Sequence, residues 1–286
     1  MNATALHKKR NAFSFLWLFM LLFCSTNVLS ADARSTEGGG NQGDKITLGF
    51  FPLISTVALY KRFGPLAKYL SDELGKPVQL KTAKNFPTFV KRTSQRAYDI
   101  VITAPHFAVR ANDSKKYQIT STLLSKVQQL VVVHKDSPIN SIDELAGLEV
   151  ATPPAKALMT KMGKDMFKKA GMEGERSPIY TAFTSHNAAN KSVTDGKIKA
   201  AIASSNIIRK AMKKGAPLKI IGKGLQFPNM ATLIATDIDK ETVLSVVDAL
   251  VKMKNSEKGR ATLKKIGFPG YRKVNASDYE VVRPYL

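Results

Sequence analysis

Residues 46–75 read ITLGFFPLISTVALYKRFGPLAKYLSDELG, and within them the period of the apolar residues changes from two to between three and four. Ile46, Leu48 and Phe50 alternate with Thr47 and Gly49, which is the period of a strand, and Pro52 stops it because proline has no N–H for a ladder. Tyr60, Phe63, Leu66, Ala67, Leu70 and Leu74 then fall three and four apart, on one face of a helix, and Gly75 followed by Pro77 ends it. A strand handing over to an amphipathic helix is the first half of a β-α-β unit, so the class expected is α/β.

Downstream the rhythm continues. Val78 and Leu80 suggest a strand, 86–93 a helix, and 98–102 a strand apolar enough to be a buried parallel one; a short helix begins near Pro105, whose missing N–H suits the first helical position. Leu130 to His134 is an unbroken apolar run, read as a long strand, after which Ser141-Ile142-Asp143-Glu144 opens a short helix with capping-box spacing. A second block follows, with strands over 148–151, 179–182, 200–203 and 218–221 and helices over 155–170, 185–194 and up to Lys213. Beyond Gly224 come a strand over 231–235, helices over 241–253 and 257–266, and an irregular tail. Two α/β blocks joined by strand-like crossings near 127–133 and 228–235 predict two lobes, one from 45–127 plus 228–286 and the other from 128–227, hinged around a central cleft.

Upstream, His7, Lys8, Lys9 and Arg10 precede an apolar run over 13–23. The run is too short for the roughly twenty residues a membrane-spanning helix needs. With the small residues near Val28-Leu29-Ser30 it reads as a signal peptide over 1–30, cut before Ala31, an uncleaved anchor being the alternative. The one cysteine, Cys24, lies inside this segment, so the exported chain is expected to hold no disulfide and no thiolate metal site; bulky Leu22 and Phe23 argue against lipidation. Residues 31–44, with Gly38-Gly39-Gly40, offer nothing to bury and read as a flexible linker. The formal net charge is +22, and the first thirty residues carry three basic and no acidic side chains, leaving +19. Such a charge attracts anions of any size without choosing among them.

In open parallel sheets ligands sit beyond the carboxyl ends of the strands, at the corners where strands hand over to helices. Five corners qualify: Phe51-Pro52-Leu53, Thr103-Ala104-Pro105-His106, Thr152-Pro153-Pro154-Ala155-Lys156, Thr184-Ser185-His186-Asn187 and Ser204-Ser205-Asn206. Hydroxyls stand at four of them beside helix starts whose free N–H groups and dipole favour an anion, although Ser, Thr and Asn are also the ordinary helix caps. The candidate ligand contacts are Phe51, Thr103, His106, Thr152, Lys156, Ser185, His186 and Ser204, with no metal and no cofactor.

The series of motifs carries a resemblance. Tyr69-Leu70-Ser71-Asp72-Glu73-Leu74-Gly75, then Tyr98-Asp99-Ile100-Val101 with its turn into Ala108-Val109-Arg110-Ala111, then Ser185-His186-Asn187-Ala188-Ala189 with Val193 and Gly196, come in this order. From Ile46 to about Val274 the chain resembles the phosphate, phosphite and phosphonate ABC transporter substrate-binding proteins. The resemblance implies a type 2 periplasmic binding protein fold, a periplasmic location, a small anionic ligand such as a phosphonate- or phosphate-like oxyanion, and delivery to an ABC permease in the inner membrane. It also implies a Ser-Thr-Ser-Gly type run after Val150, where this chain has Pro153-Pro154-Ala155-Lys156-Ala157-Leu158, and an acid where it has Lys199. Proline lacks an N–H and alanine a hydroxyl, so donors are lost there, and Lys156 supplies a positive charge instead. His186, at a helix start the resemblance singles out, is the foremost ligand contact.

Enzymatic activity is not expected, because the chain has no Gly-x-Ser-x-Gly elbow, no His-Glu-x-x-His and no Walker loop. Nucleic acid is not an expected partner either: Lys161, Lys164, Lys168 and Lys169 form a solvated helix face without interleaved aromatics. The expected form is a monomer. The alternative function is a ligand-sensing partner of a membrane sensor kinase.

Overall fold

The computed structural model describes residues 45–286; the signal peptide and linker expected over 1–30 and 31–44 lie outside the described residues. In chain order the first half runs β1 (Ile46–Phe50), α1 (Thr56–Leu74), β2 (Val78–Lys81), α2 (Phe86–Ser94), β3 (Ile100–Thr103), α3 (Pro105–Asp113), β4 (Tyr117–Leu123) and β5 (Lys126–His134). It continues with β6 (Glu149–Thr152), α4 (Leu158–Lys169), β7 (Ile179–Ala182), α5 (His186–Thr194), β8 (Ala200–Ser204), α6 (Ser205–Lys213) and β9 (Leu218–Pro228). The last part comprises β10 (Ala231–Ala235), α7 (Lys240–Lys252), α8 (Glu257–Ile266), β11 (Tyr271–Lys273) and a 3-10 helix over Ala276–Tyr285.

Two mixed sheets result. The first has the order β11-β4-β10-β3-β1-β2 and the second β7-β6-β8-β5-β9. β1, β2 and β3 run parallel, as do β6, β7 and β8, while β10 and β5 pair antiparallel beside them. The chain passes between the sheets twice, through Leu124 and Ser125 and through Asn229 and Met230. The two passages are tied: Asn229 Nδ2 donates to Ser125 Oγ at 3.0 Å, and Tyr279 Oη donates to the Asn229 carbonyl at 2.9 Å.

The buried stripe of α1 runs through Leu59, Phe63, Leu66 and Leu70, spaced four, three and four. Tyr60, expected on the buried face, is one position past Leu59 and therefore turned about 100° away; it is 44% exposed. In β1 the tight element is Gly49, where a Cβ would stand 2.5 Å from the Tyr98 ring, so only glycine lets that ring cover the strand. β4 is absent from the sequence reading, since Gln118, Thr120, Ser121 and Thr122 mask its apolar alternation, yet it is an interior strand between β10 and β11. β9 outruns the strand expected over 218–221 by crossing Gly222 and Gly224; a Cβ at Gly224 would meet Gln129 Oε1 at 2.6 Å. α4 starts at Leu158, three residues later than expected, after the Pro153-Pro154 corner. The expected capping box at Ser141 is a single 3-10 turn (Asp143–Leu145) whose Glu144 carboxylate accepts from the Asn140 and Ser141 N–H groups. The tail is not irregular: it forms β11 and the 3-10 helix, with Tyr279 and Val282 fully buried.

Three apolar layers hold this together. One lies between the first sheet and α1, α7 and α8, and one between the second sheet and α5 and α6. The third is continuous across both sheets: it runs from Phe89, Val101 and Ala108 through Tyr279, Val282 and Tyr285 to Val131, Val150, Met162 and Phe167. The helices after neighbouring strands therefore go to opposite faces. α1 and α3 diverge after β1 and β3, and α4 and α6 diverge after β6 and β8, so each sheet has a topological switch point at its carboxyl end.

Candidate ligand-binding site

The helix starts fall into two groups. α2, α5, α7 and α8 are closed by their own side chains: Asn85, Ser185, Asp239 and Ser256 accept from the N–H groups of Thr88, Ala188, Thr242 and Gly259. α1, α3, α4 and α6 begin at Ser55, Ala104, Ala157 and Ser204 with no side-chain cap. These four are the helices that follow the switch-point strands β1, β3, β6 and β8. An uncapped first turn leaves N–H groups unsatisfied and the positive end of the helix dipole open to an anion. None of the four carries an acidic residue in its first turn, whereas α7 and α8, away from the switch points, have both a cap and a first-turn acid.

On the second sheet, His186 and Ser204 are brought together although eighteen positions apart. His186 Nδ1 accepts a long hydrogen bond, 3.4 Å, from the Ser204 N–H. Burial lowers the imidazole to about 4, so the ring is neutral near pH 7, with Nδ1 as acceptor and Nε2 carrying the proton as a donor. Ser185 is an ordinary cap, its Oγ accepting from Ala188 N–H at 3.1 Å. Thr152 is buried at the end of β6, and its carbonyl accepts from Phe183 N–H at 2.8 Å. The proline corner beyond it is pinned by Thr160, whose hydroxyl lies 3.1 Å from the carbonyls of both Pro153 and Pro154. Lys156 is exposed and makes no ion pair or hydrogen bond among the described residues, which leaves its charge free beside the open start of α4.

On the first sheet, His106 is 7% exposed with an unpartnered Nδ1, and its ring lies 3.9 Å from that of Phe107. Burial, then the positive charges of Lys161 and Arg110, lower it to about 4. Lys161 belongs to α4 and His106 to α3, so this electrostatic contact joins the two sheets. Thr103 is also buried with a free hydroxyl, but it lines a cavity of about 60 Å³ beneath α2 and α3 with Phe89, Val90 and Phe107. It shares the face of Val101, not that of Ile102. Phe51 is almost fully buried, its ring stacked on Phe86 at 4.4 Å and 19°, with the Phe107 ring 5.6 Å away.

Phe86 and Phe107 are absent from the sequence reading of the site, as is Lys161. Phe86 had a usable signal, since Asn85-Phe86-Pro87 is a capped helix start at the end of β2. A polar cavity of about 390 Å³ lies at the opposite end of the first sheet, by Thr47, Lys76, Arg96 and Asp99. Its chemistry is already spent internally: Asp99 accepts from Thr47 and pairs with Arg96. Neither cavity joins residues of both sheets.

A family model described as the phosphonate ABC transporter periplasmic substrate-binding protein matches residues 48–279. Among solved structures, PhnD1 from Prochlorococcus marinus in complex with methylphosphonate superposes with a TM-score of 0.72 at 16% identity, covering 85% of this chain and 97% of that one. A binding protein component of an ABC phosphonate transporter from Pseudomonas aeruginosa gives 0.67 at 16% identity over 84% and 85% of the two chains. A Xanthomonas citri protein bound to ATP gives 0.69 at 15% identity over 85% and 99%. At such identities the superpositions establish the shared type 2 periplasmic binding protein fold and nothing about the ligand. The family model, spanning nearly the whole described chain, establishes the kinship: the chain belongs to the periplasmic substrate-binding proteins of the phosphonate ABC transporter family.

Proposed function

We propose that this chain, as a monomer, captures a small oxyanion between the carboxyl ends of its two sheets, closes about the two tied passages, and delivers the ligand to an ABC permease in the inner membrane. The observation that carries this reading is the coincidence of the four uncapped helix starts with the four switch-point strands. An anion supplies from outside the acceptor that Ser185 or Asn85 supplies from within. The free charge of Lys156, the Nε2–H of a neutral His186 and the basic composition act in the same sense. The neighbours bound to methylphosphonate and to ATP are two proteins of this fold with phosphorus oxyanions as ligands.

A thermal-shift screen of the exported chain against phosphate, phosphite, methylphosphonate, sulfonates and neutral sugars tests this. A ligand at a hundred times its Kd raises stability by about 2.7 kcal/mol. The expected result is a rise with an oxyanion and none with sugars, a several-fold weaker titration in His186→Ala, and a smaller radius of gyration with ligand than without. A rise only with neutral solutes would overturn capture of an anion, and an unchanged scattering curve on saturation would overturn closure.

A further inference from the structure

The first-sheet side of the site is aromatic where an inorganic oxyanion has no use for it. Phe51, Phe86 and Phe107 stand at the carboxyl ends of β1, β2 and β3, on three different elements, and the topology brings all three to one corner. Phe51 is stacked with Phe86 and approached by Phe107 at 5.6 Å, and it is only 8% exposed, so its own area is used up in packing. Phe86 is different: it is the first residue of α2, stacked on Phe51 through one face and 39% exposed. A large apolar ring left partly in water at a ligand-facing edge, on a rigid stacked base, is a surface for another flat apolar group. Across the site, the polar partners come from the second sheet, His186, Ser204 and Lys156, together with the open starts of α4 and α6. On the capture reading, the first sheet thus offers an exposed aromatic ring and the second sheet the polar groups.

We infer that the ligand is an oxyanion bearing a flat apolar substituent, its anionic head at the second-sheet corners and its flat group stacked on the exposed face of Phe86. This rests on the capture reading above and narrows it to a class: aryl- or heteroaryl-substituted phosphonates and phosphate esters over phosphate or short alkyl phosphonates. No bond is made or broken.

The test is a pair of probes with the same head group, methylphosphonate and phenylphosphonate, titrated calorimetrically into the exported chain. Phenylphosphonate is expected to bind at least roughly fivefold more tightly, the advantage an added aromatic stack confers. In Phe86→Ala its affinity falls by the same factor or more, and in Phe86→Leu, which keeps apolar area without a flat ring, the fall is intermediate. Circular dichroism melts of both variants verify folding, which an exposed helix-start residue should not compromise. Equal affinity for the two probes, or a preference for methylphosphonate, overturns this inference and leaves capture of an oxyanion standing. Binding of neither phosphonate overturns this inference, and capture of an oxyanion falls with it only if phosphate, phosphite and sulfonates also leave the melting temperature unchanged.

Discussion

Two imidazoles stand at helix starts, His106 on α3 and His186 on α5, and burial holds both well below the ordinary histidine range, to about 4. In the unfolded chain each titrates near 6.5, so between about 6.5 and 4 the unfolded state binds more protons than the folded one. Stability from this source is therefore complete above pH 6.5 and is lost as pH falls toward 4. For His106, which is 7% exposed, the full shift corresponds to on the order of 3 kcal/mol, and the half-buried His186 contributes less. Urea midpoints at pH 7.0 and pH 4.5 are expected to differ accordingly, and His106→Asn, which cannot take a proton, is expected to remove the larger part of the difference. A midpoint independent of pH over this range would show that neither ring is desolvated. The sequence singled out both rings by position alone; their neutrality comes from burial, helped at His106 by Lys161, which arrives from the other sheet.

At the level of elements, helix capping separates the hydroxyls spent on the backbone from those that are not. Ser185 and Ser204 occupy the same position relative to α5 and α6, yet only Ser185 caps its helix. Removing a serine cap costs about 1 kcal/mol, whereas removing a serine that caps nothing costs little. Ser185→Ala is therefore expected to lower stability by that amount, and Ser204→Ala to leave stability nearly unchanged while weakening oxyanion binding. Denaturant unfolding and ligand titration of the two variants check this; an equal loss of stability in both would mean that Ser204 also serves as a cap. The five corners were legible from strand-to-helix handover. Which of their hydroxyls are spent on the backbone was not, because a cap and a ligand contact use the same residue types.

For the whole molecule, the C-terminal 3-10 helix acts as a strap. Arg283 pairs with Asp113 at the end of α3, while Tyr285 Oη donates to Asp165 Oδ2 at 2.6 Å and the Tyr285 carbonyl accepts from Lys161 Nζ at 2.9 Å, both on α4. The continuous apolar layer runs through the same segment. Tyr285→Phe keeps the packing and removes one hydrogen bond to a carboxylate, an expected loss of about 1.5 kcal/mol in unfolding free energy. Loss of residues 285 and 286 removes both ties to α4, and the ligand-free radius of gyration is expected to grow. If neither stability nor size changes, the strap holds nothing. The tail read as irregular although Tyr279, Val282 and Tyr285 fall three apart, the period of a 3-10 helix, because three apolar positions are too few to set that period against the others.

What the amino-acid sequence determined by itself was the alternation of strand and helix and the corners where strands hand over to helices; the crossing expected over 127–133 lies inside β5, and the chain passes between the sheets at Leu124 and Ser125 instead. The alternation and the corners are written in neighbours within about ten residues, as at Leu59 to Leu70 or Ser185 to Val193. Only the tertiary structure decided the rest: that Phe86 lies over Phe51, that Ser204 meets His186, that Thr103 turns toward α2, and that Tyr285 reaches Asp165. Those pairings join positions far apart in the chain, and their free energy depends on burial and geometry that no local period encodes.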